Sequence, residues 1–166
     1  MKNIYTSEVV ATRLSHDLIG NIGAVSNAVE LLNEDDDSDK DDIINILNFS
    51  AQTLSRRLKF FRLCFGLSNT GVKDIDEVKN IIHDYLSTLG NPNFPIDLKF
   101  KVETPQVYKI IMPAAMMMAD TLVKGGAIVI EQKEHGIHVT AESSVPLNQN
   151  KLQNIDSVIA GHEIEE

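Results

Sequence analysis

The sequence predicts an α+β chain: a long antiparallel helical hairpin that pairs into a dimeric four-helix bundle, followed by a small α/β layer. Residues 14–32 carry apolar side chains at Leu14, Leu18, Ile22, Val25, Val29 and Leu32, with spacings of four, four, three, four and three. Residues 43–65 repeat that pattern at Ile43, Leu47, Ala51, Leu54, Leu58, Phe61 and Phe65. Both series trace one stripe of an α-helix, a face expected to be buried. After the LSNTG break at 67–71 the pattern shifts to short helices and alternating strands, as in a second layer. The organisation read from this is a hairpin domain over 1–68 and an α/β domain over 72–166.

Residues 4–33 read as one helix of roughly 45 Å at 1.5 Å per residue, with Thr6 or Ser7 as its cap. The acidic turn NEDDDSDKDD follows at 33–42. Asp35, Asp37 and Asp39 mimic the opening of a calcium loop, but Lys40 stands where that loop needs glycine and Ile46 where it needs glutamate. The acids instead suit the positive N-terminal end of the next helix. That helix, 41–65, sustains a bundle-like repeat for about three heptads, and Gly66 suits a left-handed end. A lone hairpin cannot cover both of its apolar faces, and pairing with a second copy resolves this.

Downstream, 74–88 is a helix capped by Asp74, with Ile75, Val78, Ile81, Ile82 and Tyr85 on one side. GNPNFP is a loop and IDLKFKV (96–102) alternates as a strand. Thr104 before Pro105 signals a helix start. This helix is expected to reach Val123, to bend at Pro113 and to end at Gly125 and Gly126. AIVIEQ and IHVTAE around KEHG form a hairpin, and 150–161 is weakly helical.

Composition narrows the function classes. The formal charge of −9 argues against nucleic acid or an anionic membrane as main partner. No apolar run of 18 residues and no signal-peptide pattern after Met1 point to the cytoplasm. A single cysteine, Cys64, rules out an internal disulfide; among phenylalanines it reads as buried and inert. His135 and His138 would face opposite sides of a strand, so they make no shared metal site. His83 and His162 have no ligand pattern around them. Met112, Met116, Met117 and Met118 read as core filler. No P-loop, Rossmann fingerprint, paired-carboxylate pattern or zinc spacing occurs.

The chemistry concentrates on the first helix. His16 lies two residues from both Leu14 and Leu18, roughly 200° around the helix and away from the stripe. Gly20, Gly23 and Asn27 follow it at i+4, i+7 and i+11. A helix-interior glycine costs about 1 kcal/mol relative to alanine, so two on one face require a reason. One reading is a face kept flat for another protein to reach His16. The other is a close helix crossing beside an ordinary surface histidine; spacing alone does not choose. An exposed imidazole is largely neutral at pH 7, which leaves a ring nitrogen as a nucleophile toward a phosphoryl group. Asp17, a proton acceptor or partner contact, diverges from it as an i+1 neighbour. Arg13, one turn earlier, suits phosphate oxygens or a partner carboxylate, or is a solvated charge.

The run SHDLIGNIGAVSNAVELL resembles the phospho-acceptor helix of dimeric histidine kinases, and more closely that of alphaproteobacterial histidine phosphotransferases of the ChpT type. The resemblance rests on Arg13, His16, Asp17, Leu18, Gly23, Ala24, Asn27, Glu30, Leu31 and Leu32. A second block, SAQTLSRRLKFFRLCFG (50–66), is similar to the family's second bundle helix. Asn21 departs from the family, which commonly has proline there. The family also extends further, with a helix and strands beyond the position matching Glu166, so the second layer here has room to be C-terminally incomplete. The resemblance implies a homodimeric four-helix bundle flanked by degenerate kinase-like ATP-binding domains. It implies that His16 takes a phosphoryl group from a receiver-domain aspartate, as in a hybrid histidine kinase, and passes it to a response regulator. Gly20, Gly23 and Asn27 would form the docking face, with Arg13 and Asp17 assisting. No intrinsic cofactor is expected, and magnesium would belong to the partner receiver. The Asn-rich and Gly-rich boxes with which a kinase holds ATP are missing, which disfavours an ATP-driven kinase. A non-catalytic dimeric adaptor that binds receivers stays open as the alternative.

Overall fold

The structure, a computed structural model, describes residues 2–33, 40–66, 72 and 74–159, without the side chains of 2–10, 13, 105 and 157–159. The acids of the turn (34–39) with their calcium-like spacing, the 67–71 break, His162 and the GHEIEE end therefore lie outside the described residues, as do the side chains of Thr6, Ser7 and Arg13. Among the described residues the order is α1 (Lys2–Leu32), α2 (Lys40–Phe65), α3 (Ile75–Ser87), β1 (Ile96–Lys101), a 3-10 turn (Pro105–Val107), α4 (Tyr108–Ala119), β2 (Gly126–Lys133), β3 (Gly136–Glu142) and α5 (Gln149–Ile159). The fold is thus mixed α+β. The chain divides into two compact units, Met1–Phe61 and Arg62–Glu166.

In the first unit, the Arg57 guanidinium of α2 donates to the Asp17 carbonyl of α1. Asp17 lies about 22 Å before the end of α1 and Arg57 about 25 Å after the start of α2, at 1.5 Å per residue. The two helices therefore run antiparallel. Ala28 on α1 and Ile43, Ser50 and Thr53 on α2 are buried. The full apolar stripes are not: Ile22 is 55% exposed, Val29 46% and Leu58 52%. The expected burial fails within one chain because each helix has a single neighbour in the hairpin, which covers only one edge of a stripe about 100° wide. On α2 the buried side is correspondingly rotated from the predicted seam, leaving Ala51 and Leu58 exposed.

The second unit is a three-stranded sheet in the order β1-β2-β3. β1 pairs parallel with β2 from Ile96↔Gly126, and β2 pairs antiparallel with β3. A parallel pair needs a crossover, and α4 supplies it. α3 packs on β1, and α4 on β2 and β3. Val78, Ile82, Tyr85, Leu86, Ile111, Met112, Ile128 and Ile130 are fully buried. On the sheet's other face β1 alternates outward with Asp97, Lys99 and Lys101. Lys99 donates to Glu142 at 2.6 Å, which raises the lysine's pKa, and Lys101 donates to Glu131 at 3.1 Å, which lowers that carboxyl's.

α3 begins as expected: the Asp74 carboxylate accepts the Asp76 amide at 2.9 Å from an extended N-cap with φ −128°. Asp74→Ala is expected to destabilise the chain by about 1 kcal/mol, read as a lower urea midpoint at constant slope. An unchanged midpoint would mean that water serves the Asp76 amide equally well.

Four local expectations need correction. Gly66 is not left-handed: positive φ among the described residues is confined to Gly125, Gly126 and Gly136. The α2 end is closed instead by the Gly66 amide on the Arg62 carbonyl at 3.0 Å and by the Lys109 ammonium on the Leu63 and Gly66 carbonyls at 2.9 and 2.7 Å, a cation at the negative helix end. The Thr104-Pro105 signal opens a 3-10 turn, with α4 proper starting at Tyr108. α4 stops at Ala119, short of Val123. There Thr121 Oγ1 donates to the Met118 carbonyl at 2.7 Å, its own amide takes the same carbonyl at 3.1 Å, and its carbonyl goes to the Asn148 amide. The buried threonine thereby diverts the backbone from the helix ladder. Gly125 and Gly126, at φ +64° and +140°, open β2; a side chain at Gly125 would meet the Phe94–Pro95 backbone. Finally, of the four methionines only Met112 is fully buried, since consecutive residues 116–118 cannot all face one core.

Candidate functional site

His16 projects from the middle of α1 with its side chain 86% exposed. Asp17 behaves differently: its side chain is only 10% exposed, and Oδ1 lies 3.6 Å from His16 Nδ1. The structure therefore brings together two i+1 side chains that helix geometry tends to separate. The separation exceeds a hydrogen bond but places a carboxylate beside the Nδ1 edge, leaving Nε2 directed to solvent chemistry.

Gly20, Gly23 and Asn27 are exposed on the same side of α1 as His16. A Cβ built on Gly20 or Gly23 would meet nothing within 4 Å. The glycines are thus not needed for a close crossing inside the hairpin, which removes that reading for the single chain. Arg13 lies on α1 three residues before His16, its side chain outside the described set.

The sidedness of the hairpin follows from helical geometry. Seen from one end, antiparallel right-handed helices count their turns in opposite senses, at about 100° per residue. Starting from the inner faces at Ala28 and at Ile43–Arg57, Leu18, Ile22 and Val29 on α1 and Leu54 and Leu58 on α2 fall on one side. His16, Gly20, Gly23 and Asn27 fall on the other, together with Phe49 of α2, which is 71% exposed. The predicted stripes of both helices thus lie on one side and the histidine on the other, where Leu31, Ile46 and Phe49 are also exposed.

Sequence reasoning missed two α2 residues here. Phe49 lies outside the α2 stripe, and its off-stripe position was the available signal. Arg57 donates Nη1 to the Asp17 carbonyl at 2.5 Å, where Asn21 Nδ2 also approaches at 3.5 Å; a basic residue at an inner-face position signalled it. The remaining candidates do not join the site. His135 sits in the β2–β3 turn, and His138 is exposed on β3. His83 pairs with its neighbour Asp84 at 3.8 Å on α3. Cys64 is buried, and desolvation pushes its thiol up to about 12, against a smaller opposing effect from Lys109. Among the described residues no group of three or more His, Cys, Asp or Glu could hold a metal ion, and no helix is long and apolar enough to cross a membrane.

No family model matches the chain. It is 24% identical over 124 residues to the protein phosphotransferase ChpT of Brucella abortus (strain 2308), covering 74% of this chain and 58% of that protein. The chain thus spans less than two thirds of the length of the relative it matches. Its fold is shared with a bacterial phosphotransferase solved at 1.7 Å, at a TM-score of 0.74 and 23% identity, over 98% of this chain and 78% of the other. The likeness is thus to a protein phosphotransferase in sequence and to a bacterial phosphotransferase in fold.

Proposed function

We propose that the chain is a homodimeric histidine phosphotransferase of a phosphorelay. His16 accepts a phosphoryl group from the aspartate of a receiver domain, such as that of a hybrid histidine kinase, and donates it to a response regulator. The observation that carries this reading is the 86% exposed His16 beside two helix-interior glycines with open space where their side chains would be. A helix surface accepts a destabilising glycine pair where a partner's backbone must come close.

The chemistry needs little from this chain. The Nε2 lone pair attacks phosphorus, the N–P bond forms, and the P–O bond to the receiver aspartate breaks with its electron pair leaving on the carboxylate. The proton stays on Nδ1, where Asp17 Oδ1 stabilises the positive charge that develops on the ring. The reverse sequence delivers the group to the second receiver. Magnesium would belong to the receiver and, when bound there, would supply charge neutralisation for the phosphoryl oxygens. Catalysis is then largely positioning, as is general for phosphoryl transfer. Asp17 serves as the carboxylate partner of His16. Arg13, Gly20, Gly23 and Asn27 meet the receiver, and the α/β domain is a degenerate kinase-like module that binds no ATP for phosphorylation. The cytoplasm is the compartment this requires, since receivers act there.

Transfer of radiolabelled phosphate from a phosphorylated receiver domain tests the reading. Acid-labile, base-stable label on this chain supports it. Absence of label from several receivers that bind the chain would make the glycine face a docking surface of an adaptor.

The face itself has a sharper test, because stability and function move in opposite directions. Gly20→Ala has room for its Cβ and is expected to stabilise the chain by about 1 kcal/mol. Gly20→Trp is expected to keep the helix and the dimer but to weaken receiver binding at least tenfold by titration. Unchanged binding by the tryptophan variant would sink the flat-face argument.

A further inference from the structure

We infer that Arg57 is a positioning residue for phosphoryl transfer, acting on His16 through Asp17; the inference rests on the transfer reading above. The side chain crosses from α2 to α1 and donates Nη1 to the Asp17 carbonyl at 2.5 Å in a part-buried setting. That carbonyl belongs to the peptide immediately after the residue whose carboxylate stands 3.6 Å from the His16 ring. The imidazole is 86% exposed, so packing does not set its orientation. The Asp17 carboxylate is 10% exposed, so its position is set within the hairpin, and it is the charge that the Nδ1 edge of the ring meets.

Arg57 holds the backbone turn on which this chain of contacts depends. The Asp17 carbonyl is the i−4 acceptor for the Asn21 amide in an unbroken helix, and Asn21 Nδ2 approaches it at 3.5 Å. A carbonyl has two lone pairs, and the second one takes the guanidinium. Proline at position 21 would free this carbonyl from its helix partner. With asparagine the helix continues straight through, and the α1–α2 register at the level of His16 is pinned from the other helix instead. A charged donor to a peptide oxygen is stronger than a neutral one, and a lysine cannot reproduce the planar fork.

The test uses the full-length chain with Arg57→Met, which keeps the hydrophobic stem and removes every donor, and Arg57→Lys, which keeps a charge and a donor. Two readouts are compared: single-turnover transfer across receiver concentrations, and the ¹⁵N spectrum of the His16 ring in the free protein. Arg57→Met is expected to lower the saturating rate about tenfold, since displacements near 1 Å cost up to ~10²-fold, with half-saturation changed less than twofold. The ring nitrogen shifts should move, and Arg57→Lys should recover part of both effects. A native saturating rate with native ring shifts in Arg57→Met overturns the inference. So does an equal loss in Met and Lys variants that tracks only a lower melting temperature. If the native chain takes no label, the transfer reading fails and the role of Arg57 in transfer falls with it, whereas label on the native chain with native ring shifts in Arg57→Met overturns the Arg57 inference alone.

Discussion

The His16→Ala variant is expected to take no label from a phosphorylated receiver, while its melting temperature and dimerisation stay native. The first half follows from chemistry. Among the described residues of the glycine-bearing side, His16 alone offers an imidazole nitrogen to solvent, and the side chain of its neighbour Asp17 is only 10% exposed. The second half follows from exposure: an 86% exposed side chain with one partner at 3.6 Å contributes within about 0.5 kcal/mol to stability. The comparison therefore separates chemistry from folding without a compensating variant. Receiver binding should also persist, because Gly20, Gly23 and Asn27 remain. Label retained on His16→Ala would move the acceptor to another histidine. His83, His135, His138 and His162 are the four that remain, and mapping the labelled peptide would identify which.

Much of this could be read from residues alone, and the failures share a physical origin. The helices of the hairpin were legible because a 3.6-residue apolar period over twenty or more residues has no other solution. Asp74 was legible because a cap acts through its own side chain on an amide two residues away. What local pattern does not encode is which neighbour an element meets. Thr121 ends α4 because Asn148, distant in sequence, takes its carbonyl. Lys109 closes the α2 end from more than forty residues away. The parallel pairing of β1 with β2 likewise depends on where α4 lies. At the site, His16 and the open glycine face were visible as a surface pattern on one helix. The Arg57 guanidinium on the Asp17 carbonyl was not, since it depends on the second helix, and the Asp17 carboxylate near the ring was not, since i+1 side chains on a helix usually diverge.

The double variant Ile22→Glu with Leu58→Glu is expected to convert a dimer into monomers, seen as a halved mass in solution. Ile22, Val29, Ile44 and Leu58 are each 46–55% exposed on the hairpin, and helical angle places them on the side away from His16. Fully burying such a side chain is worth about 1.5–3 kcal/mol, and a two-fold axis doubles each contribution. Each is already about half buried, so the remaining gain is roughly half of that per side chain, about 6–12 kcal/mol over the four residues of both copies, the same range as the roughly 4–15 kcal/mol that association costs. Carboxylates facing each other across the axis would instead bring like charges together in a desolvated seam, which costs several kcal/mol. A second copy is the natural occupant because the stripes of α1 and α2 lie on one side, as two helices of a four-helix bundle require. The histidine side then remains outward on both copies. A double variant that stays dimeric would place the seam elsewhere on the chain. A native chain that is monomeric at high concentration would leave this apolar side to a different protein, and the proposed symmetry would fall with it.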